Sequence, residues 1–576
     1  MELKVPTLKK PGGSIFKTNL ESLRKWVENL PLVNIELSAG QLEFGLSEIN
    51  SVEMSSPVRT EVLELLTVPV MHVTGALQKK YMGKQFPLGR DYLGKSNQVI
   101  GLYLAMATGY KLLVAELARE KITDARLATQ MQRAIRYFSE SLIASYQIYS
   151  QHRTGIWEDL HTLYALAAKH GLQAHQEIDT TLQKPDLTTV ETAYKQILLL
   201  SLAGPYGLRQ GEIRLVYNLL GRWAPFSRLL AAKDHDNMGF FSCHLASDDP
   251  PSYLVLRQRD RLDDEWLILD TSSMTEPANA TLNELHDKPG LRNSLPSEST
   301  LKHLMLTWGV MPQRRATRSR KEAPVQLVLG ITAIHRLLTE PKSVEQGTPG
   351  SAAPSPERAE FLVDPTLERP TVIATSNHVR GGAAGSGCWQ NNRAFPGSTH
   401  PLKGAFALEP RNTGTEADKS LPVESWKMVN VSAGGYCLLW DSNDITTAQV
   451  GELVAIRTGA RDSNDDWTLG VIRWMKFTPE RGLVLGVELI ASSSTPVHVC
   501  LCTDKSMDEN KSPGILLPGN RTLEQQESLL LPALQFRTGC MSTLTREGVD
   551  KKIILVRQME NTGSFARFHF TTATES

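Results

Sequence analysis

Cysteine is scarce: six in 576 residues, at Cys243, Cys388, Cys437, Cys500, Cys502 and Cys540. So few thiols exclude a disulfide framework and fit a reduced, cytoplasmic setting. An excess of charge is lacking too, because 62 Lys and Arg balance 62 Asp and Glu. That balance argues against a broadly basic nucleic-acid coat, and neither DNA nor RNA is expected as a partner. No apolar run reaches the about 20 uninterrupted residues of a bilayer-spanning helix. The nearest, Val99 to Ala118, is broken by Thr108, Gly109, Tyr110 and Lys111, which suits a buried helix pair. The start, MELKVPTLKKPGGSIF, has no apolar core of a secretory signal. Catalytic signatures are missing: there is no G-x-S-x-G, H-E-x-x-H or C-x-x-C. The Gly-rich stretch 381–387 lacks the Lys-Ser/Thr of a phosphate loop. His498, Cys500 and Cys502 alternate and would share one strand face, yet ligands from one strand rarely close a tetrahedron around zinc. No metal, no cofactor and no enzymatic activity are expected.

What is present is ordinary globular composition, 41% hydrophobic and 22% charged, in a chain long enough for three or four domains of about 100–200 residues each. Residues 1–230 read as a helical domain, a bundle or a TPR-like solenoid without a clean 34-residue repeat. Leu127, Met131, Ile135, Phe138, Leu142, Tyr146 and Tyr149 follow the spacing of one helix face. Trp157 to His170 makes the next helix, stopped by Gly171. Asp186 or Thr188 is placed to cap a third, which ends before Gly204-Pro205, and a fourth runs from Gly211 to Trp223.

Residues 231–310 read as a small mixed α/β connecting domain. There Tyr253–Leu256 and Trp266–Leu269 flank the charged tip RQRDRLDDE as a hairpin, and a helix spans Leu301 to Trp308. Residues 341–424 are rich in Pro, Gly, Ser and Asn and read as a partly disordered insertion, with one ordered island at Phe361–Ser376. Beyond it short strands dominate: YCLLW, ELVAI, TLGVIRW, LVLGVEL, VHVCLC and KIILV. Their spacing predicts a closed antiparallel barrel from 311–340 plus 425–495, followed by a further β region over 496–576.

Two polar motifs stand out. Between Arg314 and Lys321 five of eight residues are cationic: Arg314, Arg315, Arg318, Arg320 and Lys321. Such a run is usually a solvated face. Two guanidiniums four residues apart also form a fork for planar anions, because arginine pairs bidentately with phosphate or a guanine edge. R-x-x-x-R recurs at Arg257/Arg261 and Arg457/Arg461, so spacing alone is unspecific. The second motif is Asn430-Val431-Ser432-Ala433-Gly434-Gly435, heading a strand. Taken alone it is a turn or bulge. In a strand its Asn and Ser share one face, and Gly435 permits a tight turn or a close approach.

R-x-x-x-R, an apolar strand, N-x-S-x-x-G and then strands ending in Gly486-Val487-Glu488-Leu489 form an order that resembles the PilZ domain, a small β-barrel that binds cyclic di-GMP. The resemblance rests on RRATRSRKEAPVQLVL (314–329), VNVSAGGYCLL (429–439), GELVAIR (451–457), LGVIRWMKF (469–477) and LVLGVELI (483–490). With its helical front and interrupted barrel, the chain is similar to the atypical PilZ-domain cyclic di-GMP receptors of Gram-negative bacteria, those of FimW type included.

The resemblance implies that Arg314 and Arg318 bind guanine and phosphate, with Arg315 as helper. It implies that Asn430 and Ser432 meet the other guanine edge and that Gly435 allows close contact. It further implies a cytoplasmic, non-enzymatic sensor, recruited to a cell pole or membrane complex, whose helical front contacts a protein partner in surface attachment or type IV pilus assembly. Two departures stand against the family pattern. Arg318 and Asn430 are 112 residues apart where a few tens are usual, and Asn430 replaces the commoner Asp. The alternatives are a nucleotide-independent scaffold with a degenerate barrel, and an RNA platform built on Arg314–Lys321.

Overall fold

Side-chain caps set where the first helices begin. Asn19 accepts from Ser22 N at 2.8 Å and starts α1 (Leu20–Glu28), and Asn34 accepts from Leu37 N at 3.2 Å and starts α2 (Ile35–Ser51). The computed structural model describes residues 3–10, 19–179, 186–232, 241–254, 263–288, 290–291, 294–309, 319–339, 421–442, 444–458, 467–478, 480–501, 511–519 and 526–573. These belong to two units, one ending at 309 and one starting at Ser319.

The first unit continues with α3 (Ser56–Tyr81), α4 (Arg90–Arg119), α5 (Ala125–Gln147) and α6 (Ile156–Lys169). A two-stranded ribbon, β1 (Gln176–Asp179) and β2 (Asp186–Thr189), leads to α7 (Val190–Leu202) and α8 (Gln210–Trp223). The expected break at Thr108–Lys111 is not a break, and α4 runs through as one helix. A Cβ on Gly109 would lie 2.6 Å from Leu63 of α3, and Lys111 pairs with Asp159 at 2.6 Å. Gly and Lys therefore answer to packing partners, not to a turn. Among the described helices only α4 is long and apolar enough to cross a membrane, and it packs against α2, α3 and α5.

The face drawn through Leu127 to Tyr146 is real, but α5 is buried on every side, including Gln132, Arg133, Arg136 and Glu140. Arg136 donates to Tyr217 at 2.8 Å and to Gln196, and that network permits a polar central helix. Tyr149 lies past the helix end at φ +54°. The third expected helix, α7, is capped by Thr189, whose Oγ1 accepts from Thr192 N at 3.0 Å. Asp186 and Thr188 instead pair within the ribbon, Asp186 with Asp179 and Thr188 with Glu177.

The segment after α8 forms β3 (Arg228–Ala231), β4 (Phe241–His244), β5 (Ser252–Tyr253), β6 (Trp266–Asp270), α9 (Thr275–Asp287) and α10 (Glu298–Gly309). The hairpin expected between Tyr253 and Trp266 does not form, because the order across the sheet is β3-β6-β4-β5. Phe241 and Cys243 are buried, so β4 takes the centre and separates the two strands that alternation had paired. This sheet is fastened to the helices. Asp248 accepts from Gly155 N, Trp157 N and Glu158 N at 2.6, 3.0 and 3.2 Å, capping α6, and Trp308 donates to Leu199 O at 3.3 Å. Buried His161 donates through Nε2 to Asp249 O at 2.8 Å and accepts at Nδ1 from Tyr194 at 2.5 Å. Burial pushes its pKa down to about 4 and keeps it neutral.

Among its described residues the second unit is β apart from one helix. β7 (Ser319–Leu329), β8 (Glu424–Ser432), β9 (Gly435–Trp440), β10 (Leu453–Thr458), β11 (Thr468–Thr478) and β12 (Gly482–Ala491) close a barrel in the order β10-β11-β12-β9-β8-β7. The expected fold class holds: a helical front, then an antiparallel barrel assembled from segments on both sides of the long insertion. Residues 341–420 of the insertion, with the Phe361–Ser376 island, lie outside the described residues, and its last residue, Glu424, already belongs to β8.

The further β region also closes. β13 (Thr495–Leu501), β14 (Ser512–Leu517), β15 (Ser528–Pro532), β16 (Met541–Arg546), β17 (Val549–Asn561) and β18 (Phe565–Thr572) form a second barrel in the order β13-β14-β15-β18-β17-β16. Numbered one to six along the chain, the strands of both barrels run round the wall as 1-2-3-6-5-4. Between the barrels sits α11 (Ile331–Thr339), entered through Gly330 at φ +87°. Its Ile331 and Ile334 share one apolar cluster with Leu453 and Val471 of the first barrel and Ile515 and Phe565 of the second. Three residues, Ser492–Ser494, join β12 to β13.

Candidate ligand-binding site

The N-x-S-x-x-G motif occupies the β8–β9 hairpin. Ser432 faces Gly435 across it, and the Ser432 hydroxyl lies 3.2 Å from Gly435 O, to which it donates. Asn430 stands opposite Cys437 on β9 and Arg320 on β7. An extra β8 residue between the Met428 and Asn430 pairs shifts the alternation. Met428 therefore points into the core, while Asn430 and Ser432 share the outer face. Asn430 makes no side-chain hydrogen bond among the described residues, so its amide can both donate and accept.

Gly435 is demanded by the barrel itself. A Cβ there would lie 2.0 Å from Val487 O on β12, a backbone atom that cannot swing away. Gly486, also in β12, is needed as well, since the Trp474 ring lies where its Cβ would be, with Nε1 at 2.0 Å. Leu489 N donates to Gly434 O at 3.0 Å. The Gly486-Val487-Glu488-Leu489 signature thus holds the polar hairpin against β12.

The expected cations divide. Arg314, Arg315 and Arg318 lie outside the described residues, as do Arg257, Arg261 and Arg461. What the described chain fixes is its own entry point. Ser319, the residue after Arg318, pairs with Val431, between Asn430 and Ser432. Arg457 is engaged elsewhere: it donates to Gln326 at 3.1 Å and lies 4.8 Å over the Trp467 ring.

Alternation missed a further arginine. In the β11–β12 ladder Ile472 pairs with Val487 and Trp474 with Gly486, leaving Arg473 as an extra residue at a bulge. Its Nε donates to Glu488 at 2.5 Å and its Nη1 to Glu560 of the second barrel at 2.6 Å. Burial works against the charged guanidinium, but the Glu488 and Glu560 carboxylates outweigh it and hold its pKa above the ordinary arginine value. Glu488 in turn pairs with Gly435.

His498, weighed as a metal ligand, stacks edge-on against His335 of α11 with centroids 4.6 Å apart, and Cys502 lies outside the described residues. A separate trio in the first unit, His244, Asp263 and Glu265, brings one ligand atom from each within 4.8 Å, with both carboxylates exposed.

A closed six-stranded barrel whose strand 2–3 hairpin carries N-x-S-x-x-G, entered directly after R-x-x-x-R, is a PilZ-type barrel. Three family models match the chain in succession. They are "Cyclic-di-GMP receptor FimW, N-terminal domain" over residues 21–234, "Cyclic-di-GMP receptor FimW, middle PilZ domain" over 240–496 and "FimW C-terminal beta-barrel domain" over 497–573. The Cyclic-di-GMP receptor FimW of Pseudomonas aeruginosa is 26% identical over 588 residues, covering 100% of this chain and 94% of that protein. The chain belongs to the FimW family. No solved structure matches it.

Proposed function

We propose that this protein is a cyclic di-GMP receptor that binds its ligand on the outer face of the first barrel. Arg314 and Arg318 supply planar cations for phosphate and guanine, with Arg315 beside them. Asn430 and Ser432 supply the neutral hydrogen bonds. One observation carries the reading: β7 starts opposite Val431, so a chain that has just passed Arg318 enters the barrel beside the polar hairpin. The name of the Pseudomonas relative, a cyclic di-GMP receptor, agrees with it. In this reading the protein is not an enzyme. It works in the cytoplasm, where reduced thiols suit Cys243, Cys437, Cys500 and Cys540, which form no disulfide among the described residues. Its helical unit passes the signal to a protein partner, in surface attachment or pilus function.

Calorimetry with cyclic di-GMP, and GTP as control, tests the binding step. Arginine offers charge and a planar fork where lysine offers charge alone. Charge-assisted bonds are worth about 1.5–3 kcal/mol, so Arg314→Lys and Arg318→Lys should each weaken binding roughly 10- to 150-fold. Arg457→Lys, already engaged with Gln326, should change little. Equal affinities across the set would mean a solvated basic run and a ligand held elsewhere, and no binding by the wild-type chain would mean a nucleotide-independent scaffold.

A further inference from the structure

Arg473, Glu488, Gly435 and Ser432 lie on adjacent strands in the order β11, β12, β9 and β8. Strands are about 4.8 Å apart, so Ser432 and Glu488 stand about 10 Å from each other with only Gly435 between them. This makes a shallow slot on the barrel wall with a hydroxyl on one side and a carboxylate on the other. A carboxylate there repels a ligand carrying two phosphates. Arg473 offsets that repulsion, and the bulge at its position aims it at Glu488. The same guanidinium is also held by Glu560, 87 residues further along the chain on β17 of the second barrel. Its charge is therefore divided between the edge of the slot and the neighbouring barrel.

We infer that Arg473 sets the affinity of the slot for an anionic ligand, and that Glu560 makes the second barrel a restraint on it. This rests on the receptor reading above. When the ligand's phosphate arrives, it competes with Glu560 for Arg473, so occupancy of the first barrel loosens a tie to the second. By reciprocity, loosening that tie favours the ligand.

The test is a double-mutant cycle in the full chain, titrated with cyclic di-GMP at one fixed salt concentration. Glu560→Gln frees Arg473 and should tighten binding about three- to tenfold, the scale of one partly screened unit charge. Arg473→Gln should weaken binding about tenfold or more. In the Arg473→Gln background Glu560→Gln should do nothing further, because its effect runs through the arginine. Arg473→Lys keeps the charge but cannot hold two carboxylates in a fork, so it should respond less to Glu560→Gln than wild type does. Melting temperatures separate this from simple stabilisation, since Glu560→Gln should tighten binding without raising the melting temperature.

If Glu560→Gln is silent, or acts equally with and without Arg473, the restraint is wrong while the receptor reading stands. If Arg314→Lys and Ser432→Ala bind like wild type, the ligand sits elsewhere and both readings fall. A wild-type chain that binds no cyclic di-GMP also overturns both.

Discussion

At Ser432 a single hydroxyl does two things, bridging its own hairpin to Gly435 O and presenting lone pairs on the outer face. Ser432→Ala removes one hydrogen bond of about 0.5–1.5 kcal/mol, so affinity for cyclic di-GMP should fall roughly 2- to 12-fold. Asn430→Asp turns a neutral acceptor into a charged one, and binding should hold or tighten. Loss of binding with the fold intact would mean that Asn430 acts as a donor. Gly435→Ala belongs to a different class. Its methyl would strike Val487 O, so it should destabilise the barrel by about 1–3 kcal/mol or more, whatever happens to the ligand. Gly434→Ala is the control, because a Cβ there meets nothing within 4 Å. Thermal melts that fail to separate the two would refute the close approach. The N-x-S-x-x-G motif was legible because one hairpin needs those residue types within six positions. Arg473 was not, because a bulge breaks the alternation by which a strand residue's face is read, and its partner Glu560 is remote in sequence.

At the scale of elements, apolar periodicity found the strands and several helices but not their neighbours. YCLLW, TLGVIRW and LVLGVEL lie along strands of the first barrel, and ELVAI does so from Leu453 on. Alternation paired Tyr253 with Trp266, and the buried β4 stands between them, since pairing is decided by which strand must be central. Helix α11 escaped notice because its nine residues follow β7 after a single glycine. It proves to be the wedge between the barrels, and that wedge has a pH dependence.

His335 on α11 is buried, and burial lowers its pKa first, with His498 of β13 adding to the effect and a backbone bond at Val497 opposing it. Arg336, the next residue, is exposed. Below the ordinary imidazole value of about 6.5 the unfolded chain takes up a proton that the folded His335 resists. Stability is therefore full above that value and declines as pH falls through it toward the lowered folded one, by at most about 1.4 kcal/mol per pH unit for this group. His335→Phe should flatten the decline in melting temperature between pH 8 and pH 5.5. An unchanged slope would assign the decline to other groups, with buried His161 of the first unit the next to examine.

On the scale of the whole molecule, the C-terminal strands were expected as a further β region and proved to be a second barrel with the strand order of the first. Closure was not legible there, because it depends on β16 pairing back to β13 across some forty residues of sequence that carry no motif. The two barrels differ where ligand chemistry would lie. Ahead of β13 stand Ala491, Ser492, Ser493 and Ser494, with no arginine, where β7 is preceded by R-x-x-x-R. At the start of strand three the first barrel has Gly435 opposite Glu488, whereas the second has Ser528 opposite His569. Ser528 is fully buried and accepts from Arg567 Nε at 3.0 Å, so that corner is filled by its own side chains. Shared topology without the slot predicts that cyclic di-GMP binds at the first barrel and not at the second. Arg567→Lys should accordingly leave cyclic di-GMP affinity within about twofold of wild type, since Arg567 is engaged with Ser528 on the second barrel and mutations at independent sites rarely couple by more than about 0.5 kcal/mol. Arg314→Lys, by contrast, should weaken binding roughly 10- to 150-fold. If Arg567→Lys instead removed part of the heat and lowered the stoichiometry, the second barrel would bind ligand in its own right, and the division of labour drawn from its missing arginines would be wrong.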